Sequence, residues 1–312
     1  MYEAAFGLSE NPFSFSPDPR YLYLSPQHRE ALNCLVYGIG ERKGFMVLTG
    51  GIGTGKTTLC RALLAELGSD TASALIFNPA LSELELLKTI TQEFGIRLSG
   101  RGTRKRYLDA LNAFLLKNFA AGKNTVLMID EAQNLSHPVL EQIRMLSNLE
   151  TVREKLIQIV LLGQPELRRI LTLPSLRQLN ERIPVRYDLE PLPHADIGPY
   201  IAHRLATAGA AHPEEVFSPE SCGLIYRHSQ GIPRRINAIC DRALLIAYGG
   251  DQRRIGRQMV RAAVKDIGPD YLSSPLSLCR GLRWWLAALA VLALLMTGVL
   301  LWNANLLDGV VR

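Results

Sequence analysis

The sequence predicts an α/β fold: a parallel sheet with crossover helices, then a small all-α domain, then a single apolar helix near the C-terminus. Three observations predict it. Short apolar runs at 45–49, 74–77, 125–129, 156–162 and 185–189 alternate with segments of helical periodicity, which is the pattern of parallel strands joined by helices. From His194 to about Asp266 the strand signals stop, and short helical segments follow, punctuated by Gly209, Pro219, Gly231-Ile232-Pro233 and Gly249-Gly250. Residues 284–302 then run nineteen positions without a charge.

These signals divide the 312 residues into an N-terminal flanking segment (1–44), an α/β core (45–190), a helical domain (194–267), a basic linker (268–283), the apolar helix (284–302) and a short tail (303–312). At 47% hydrophobic, the chain has ample core material for two modest domains. The flanking segment is rich in Pro and aromatic residues and becomes helical from about Pro26 to Ile39. In the candidate over 125–129, four successive apolar residues, Val126 to Ile129, fit a strand buried in a parallel sheet. In the helix expected over 82–94, Ser82 precedes Glu85 by three, the spacing of a capping box. A second helix is expected over 106–121.

At 1.5 Å per residue the segment 284–302 is roughly 28 Å long as a helix, close to the ~30 Å hydrocarbon core of a bilayer. Trp284, Trp285 and Trp302 sit at its two ends, where interfacial anchors belong. Arg280 and Arg283 flank it on the N-terminal side, while Asp308 and Arg312 follow it. The positive-inside rule therefore expects the large N-terminal part in the cytoplasm and a short tail across the membrane. The start, Met1-Tyr2-Glu3-Ala4-Ala5-Phe6, has no basic stretch leading into an apolar one, so no cleavable signal peptide is expected. Residues 227–283 hold eleven Lys and Arg against four Asp and Glu, an excess larger than the whole net charge of +6. That excess suits either attraction to anionic lipid headgroups or simple positive-inside topology. Cys34, Cys60, Cys222, Cys240 and Cys279 show no metal or redox spacing and read as reduced thiols, with Cys60 a small packing residue.

The chemistry lies in Gly50-Gly51-Ile52-Gly53-Thr54-Gly55-Lys56-Thr57, a full match to G-x-x-x-x-G-K-[ST] placed between an apolar strand and a helical segment. Glycines let successive backbone N–H groups turn inward around phosphate oxygens, and the following helix adds its positive end. Lys56 is expected on the β- and γ-phosphates and Thr57 on Mg²⁺. Gly50, Gly51, Ile52, Gly53, Thr54, Gly55, Lys56, Thr57 and Thr58 are thus the candidate contacts to ATP. Val126-Leu127-Met128-Ile129-Asp130-Glu131 supplies two carboxylates at a strand's C-terminal end, where open α/β sheets hold ligands. Asp130 is expected to support the metal, and Glu131 to polarise an attacking water. Gln164, at the end of the next strand, is placed either to contact the γ-phosphate or merely to form a turn. Arg182, or alternatively Arg177, is a candidate finger for a neighbouring subunit's γ-phosphate. Arg234, at the start of a small-domain helix, could face the nucleotide, leaving Arg235 as a surface charge.

In these motifs and their order the chain resembles the AAA+ ATPases, with a P-loop core and a helical lid. More narrowly it resembles the general secretion pathway protein A family. The resemblance rests on Met1-Tyr2-Glu3-Ala4, Phe6-Gly7-Leu8, Asn11-Pro12-Phe13, Pro17-Asp18-Pro19-Arg20 and His28, and on Asp130-Glu131-Ala132-Gln133, Gly163-Gln164-Pro165-Glu166-Leu167 and Gly231-Ile232-Pro233-Arg234. It implies an oligomeric ATPase anchored in the inner membrane, working with a GspB-type partner in secretin assembly for type II secretion. Many members carry Glu where Gly51 stands, a change that leaves phosphate binding intact. The best-known members continue past the span into a peptidoglycan-binding domain, for which 303–312 is too short, so direct peptidoglycan binding is not expected here. An ATPase of pilus or exopolysaccharide export is the alternative reading. A DNA-directed ATPase is a weaker rival, because the cluster Arg101, Arg104, Lys105 and Arg106 lacks aromatic interleaving or a helix-turn-helix; no nucleic acid partner is expected. A non-hydrolysing nucleotide switch is disfavoured by Glu131 and Gln164.

Overall fold

Apolar side chains alternate between both faces of the central strands, and this sets the architecture. The computed structural model describes residues 1–77, 81–98, 102–151, 154–268 and 271. Five parallel strands, β1 (Phe45–Gly50), β2 (Thr71–Ile76), β3 (Asn124–Ile129), β4 (Gln158–Gly163) and β5 (Val185–Leu189), lie in the order β2-β3-β4-β1-β5. Met46, Leu48, Val126, Met128, Val160 and Leu162 point to one face, where α1 (Pro26–Gly40) and α2 (Lys56–Glu66) add Leu35, Leu59 and Leu63. Phe45, Val47, Leu127, Ile129, Ile159 and Leu161 point to the other. There α3 (Glu83–Glu93), α4 (Arg104–Ala120), α5 (His137–Leu146) and α6 (Pro165–Leu171) close the layer. This period of two, covered on both sides, is why the strands read as unbroken apolar runs. Each such side chain contributes about 1.5–3 kcal/mol on burial. Cys60 is part of this packing: its sulfur lies 3.4 Å from that of Met128, and burial pushes its pKa up to about 12.

Where element ends differ from the sequence reading, polar residues explain it. β2 begins at Thr71 rather than 74. It is an edge strand whose first three residues are half-buried or exposed, so no apolar signal marks them. Leu156 and Ile157 are buried but precede β4, which opens on Gln158; the Gln158 side chain accepts from the Gly44 N–H at 2.8 Å. α4 starts at Arg104, two residues before the expected Arg106, because Thr103 caps it by accepting from the Arg106 N–H. The capping box at Ser82 and Glu85 is present as expected.

After a four-residue helix α7 (Arg177–Asn180) and β5, the described residues to Gly268 contain α8 (Ile197–Thr207), α9 (Pro213–Val216), α10 (Pro219–Ser229), α11 (Pro233–Gly249) and α12 (Arg257–Ile267). Pro219 does not separate two helices; it is the first residue of α10, capped by Ser218. A proline tolerates that position because its missing N–H would have no partner there.

Residues 1–44 do more than connect. The Tyr2 hydroxyl donates to Asp241 on α11, and Asn11 donates to the same carboxylate oxygen at 3.0 Å. Phe13 is buried edge-on against Phe217, with ring centroids 6.2 Å apart. On α8, Arg204 donates to the carbonyls of Pro12 at 2.6 Å and Ser14 at 3.4 Å. Residues 1–263 form one compact unit. Among the described residues no helix is long and apolar enough to cross a membrane. The apolar run 284–302, the basic linker from 272 onward and Cys279 lie outside them.

Candidate nucleotide-binding site

The loop after β1 closes through backbone conformations that only glycine adopts freely. Gly53 and Gly55 have φ of 78° and 104°, in the left-handed region. A Cβ on Gly53 would also lie 2.6 Å from the Cβ of Arg234, so glycine there admits the start of α11. The contact is direct, since the Arg234 N–H donates to the Gly53 carbonyl at 3.2 Å. Gly55 caps α2, and Lys56 and Thr57 occupy its first turn, where backbone N–H groups have no helical partner. Thr54 is buried and its hydroxyl donates to the Gly51 carbonyl at 2.9 Å, pinning the turn. Ile52 is 61% exposed at the loop's tip. Lys56 is buried; its ammonium donates to the carbonyls of Gly50 at 2.8 Å and Gly51 at 3.0 Å. Burial lowers the Lys56 pKa, against the opposing pull of the Glu131 and Asp130 carboxylates.

The two carboxylates after β3 diverge. Asp130 is buried, accepts from the Thr57 hydroxyl at 2.7 Å and from the Glu131 N–H at 2.9 Å. A hydroxyl and a carboxylate in contact form the hard-oxygen pair that suits Mg²⁺, which would neutralise phosphate charge when bound. Glu131 stands at φ 53°, a left-handed conformation uncommon for a residue with a side chain. The turn brings its carboxylate to Gln164, whose amide donates to it at 3.2 Å. Glu131, Gln164, Lys56, Thr57, Thr58 and Arg234 all line one cleft.

Arg182 is not in that cleft. It is exposed beyond α7, donating to the Ser147 hydroxyl at 3.0 Å and to Asn148. Arg177 is exposed as well, paired with Glu181 at 2.8 Å. Of the two arginines that open α11, Arg234 lines the cleft, on the side the sequence reading gave it, whereas Arg235 corrects that reading: it is half-buried rather than a solvated charge.

Sequence reasoning missed the cleft's far wall. Tyr21, Tyr23 and His28 come from the N-terminal segment, and Tyr200, Arg204 and Asn237 from the helical region. The Arg204 guanidinium lies 4.8 Å from the Tyr21 ring centroid, and the Tyr200 hydroxyl donates to Asn237 at 2.7 Å. Aromatic faces beside an amide suit a planar base. The only signal was the Pro- and aromatic-rich composition of 1–44. Gln133 was also missed as a site residue, although its amide donates to Glu131.

His28 is buried beneath the loop. Its Nε2 lies 3.3 Å from the Thr54 carbonyl, which can only accept, so Nε2 carries the proton; Nδ1 then accepts from the Ser25 hydroxyl at 2.7 Å. Burial lowers the His28 pKa from the usual 6.5. The unfolded chain therefore takes up this proton before the folded one does as pH falls. The stability His28 contributes is present above about pH 6.5 and is lost as pH drops through the depressed folded value. Burial depresses His203 in the same direction. The expected result is a melting temperature that falls below pH 6.5 more steeply in wild type than in His28→Gln, which keeps an amide donor for Thr54; parallel curves would refute it.

Residues 39–171 match the family model described as AAA domain. This chain carries an AAA domain. It is 49% identical over 255 residues, 82% of its length, to general secretion pathway protein A of Aeromonas hydrophila, and it spans 46% of that relative's length. Solved structures share the AAA fold at lower identity. CDC6P from Pyrobaculum aerophilum superposes with a TM-score of 0.63 at 22% identity, covering 82% of this chain and 70% of that one. The Aeropyrum pernix ORC2 protein, in its ADPNP–ADP complexes, gives 0.62 at 17% identity, covering 83% and 71%. Identities this low establish the fold alone.

Proposed function

We propose that this chain is a magnesium-dependent ATPase, anchored in the bacterial inner membrane by residues 284–302, that drives or regulates assembly of a secretion apparatus. The observation that carries the ATPase reading is the convergence on one cleft of the Lys56 loop and the Glu131–Gln164 pair at 3.2 Å, beside the Thr57–Asp130 contact at 2.7 Å. In this reading Gly50 through Thr58 cradle the phosphates, and Thr57 and Asp130 hold Mg²⁺. Glu131 takes a proton from the attacking water, while Gln164 and Arg234 contact the γ-phosphate. Arg182, exposed away from its own cleft, completes a neighbour's site in a homo-oligomer. The core (45–190) and the helical lid (194–267) then change their mutual angle on hydrolysis.

The likeness to general secretion pathway protein A supports a place in that pathway, with a GspB-type partner and secretin assembly as the client process. The tryptophan-bracketed run 284–302 supports the anchor. The test uses the full-length chain in detergent and in vesicles: ATP affinity and phosphate release are measured with magnesium and with chelator. Magnesium-dependent binding and turnover, together with flotation with vesicles that resists high salt, are expected. Absence of magnesium-dependent ATP affinity would reject the enzyme, and protein left free of the vesicles would reject the anchor.

A further inference from the structure

Gln133 lies in the short 3-10 turn (Ala132–Asn134) directly after Glu131, and both ends of its amide are bonded to residues that line the cleft. The Nε2 group donates to Glu131 Oε2, and Oε1 accepts from the backbone N–H of Gln164 at 3.0 Å. Gln164 donates its own side-chain amide to the same Oε2 of Glu131 at 3.2 Å. The three residues thus close a ring of hydrogen bonds across the ends of β3 and β4. Two features of the backbone accommodate it. The left-handed turn at Glu131 brings residue 133 back over the end of β4. Gly163 leaves room for the amide and for the Leu167 side chain, because a Cβ there would lie 3.0 Å from Gln133 Oε1 and 2.7 Å from Leu167 Cδ2.

Resting on the ATPase reading, we infer that Gln133 is a positioning residue that orients the Glu131 carboxylate and couples it to Gln164. Both amide donors fall on Oε2, so Oε1 is left as the oxygen without a protein donor among the described residues. An attacking water needs that oxygen as its proton acceptor, because Oε2 already has two donors. The coupling has a second consequence. Gln164 cannot move toward a γ-phosphate without disturbing the bond that aims Glu131, so sensing of the phosphate and activation of water move together. Misplacing a base by about 1 Å costs on the order of 100-fold in rate, whereas substrate binding through the phosphate loop is untouched.

Two variants test this in the full-length chain. Gln133→Met has similar length and removes both hydrogen bonds; Gln133→Glu keeps the acceptor for the Gln164 N–H but replaces the donor to Glu131. Both should lower kcat roughly 10- to 100-fold while KM for ATP and the affinity for ADP stay within about twofold. A readout independent of turnover is the affinity for magnesium ADP with aluminium fluoride, a mimic of the phosphoryl group in transfer, which should weaken in both variants relative to wild type. Wild-type kcat in both variants overturns the inference. So does a loss in kcat matched by equal losses in ADP affinity and thermal stability, since that is a folding role. Failure of the underlying ATPase reading is separate, because it shows in the unmodified chain as absent turnover. In that event, equal fluoride-complex affinities across the three proteins would still overturn the role of Gln133.

Discussion

Lys56→Ala is expected to abolish nucleotide binding at micromolar concentrations. The ammonium is the one cation buried in the loop itself, and it sits where the turn's own carbonyls, Gly50 and Gly51, hold it in register. A hydrogen bond to a charged partner contributes about 1.5–3 kcal/mol, so losing two phosphate contacts weakens Kd by on the order of 10²–10⁴. The alanine also takes one donor from each of the two carbonyls, leaving Gly51 only its bonds from Thr54, which loosens the turn that arranges the backbone N–H groups. Calorimetric titration with ATP and magnesium reads the effect directly. A variant that binds within about threefold of wild type would mean the backbone cradle suffices, and Lys56 would lose its assigned role.

Glu131→Gln is expected to separate binding from chemistry. The substitution keeps length and shape, and a glutamine tolerates this backbone, since Gln230 already stands at φ 54° in the same chain. The amide oxygen can still accept from Gln133 and Gln164, so the ring of hydrogen bonds persists. What disappears is the proton acceptor, and general-base catalysis contributes typically 10²- to 10⁴-fold. Single-turnover phosphate release should fall by about that factor while ATP affinity is retained. Turnover at the wild-type rate in the glutamine variant would remove Glu131 from the mechanism.

Much of this was legible in the chain and some was not, for physical reasons. The three central strands announced themselves because both faces are buried, so each residue is apolar whichever way it points. The edge strand did so only in part, since Thr71 to Ser73 meet solvent. That the phosphate loop, Asp130, Glu131 and Gln164 lie near one another was readable because each follows the C-terminal end of a parallel strand. Gln133 was not, as its role depends on a left-handed turn that no residue type requires. The far wall was equally hidden: Tyr21 meets Arg204 from a distant part of the chain, and no local period encodes such a pairing. The partial burial of Arg235 was hidden too, because the packing around α11, and not residue type, decides how much solvent it meets.

The N-terminal segment is fastened at three places. Tyr2 and Asn11 hold Asp241 on α11, Pro12 and Ser14 are held by Arg204 on α8, and His28 meets the Thr54 carbonyl beneath the loop. One stretch of chain therefore works as a tether between the helices and the loop, independent of the Arg234–Gly53 contact. Residues 2–28 thereby join α8 and α11 to the underside of the phosphate loop by side chains that lie outside the loop itself.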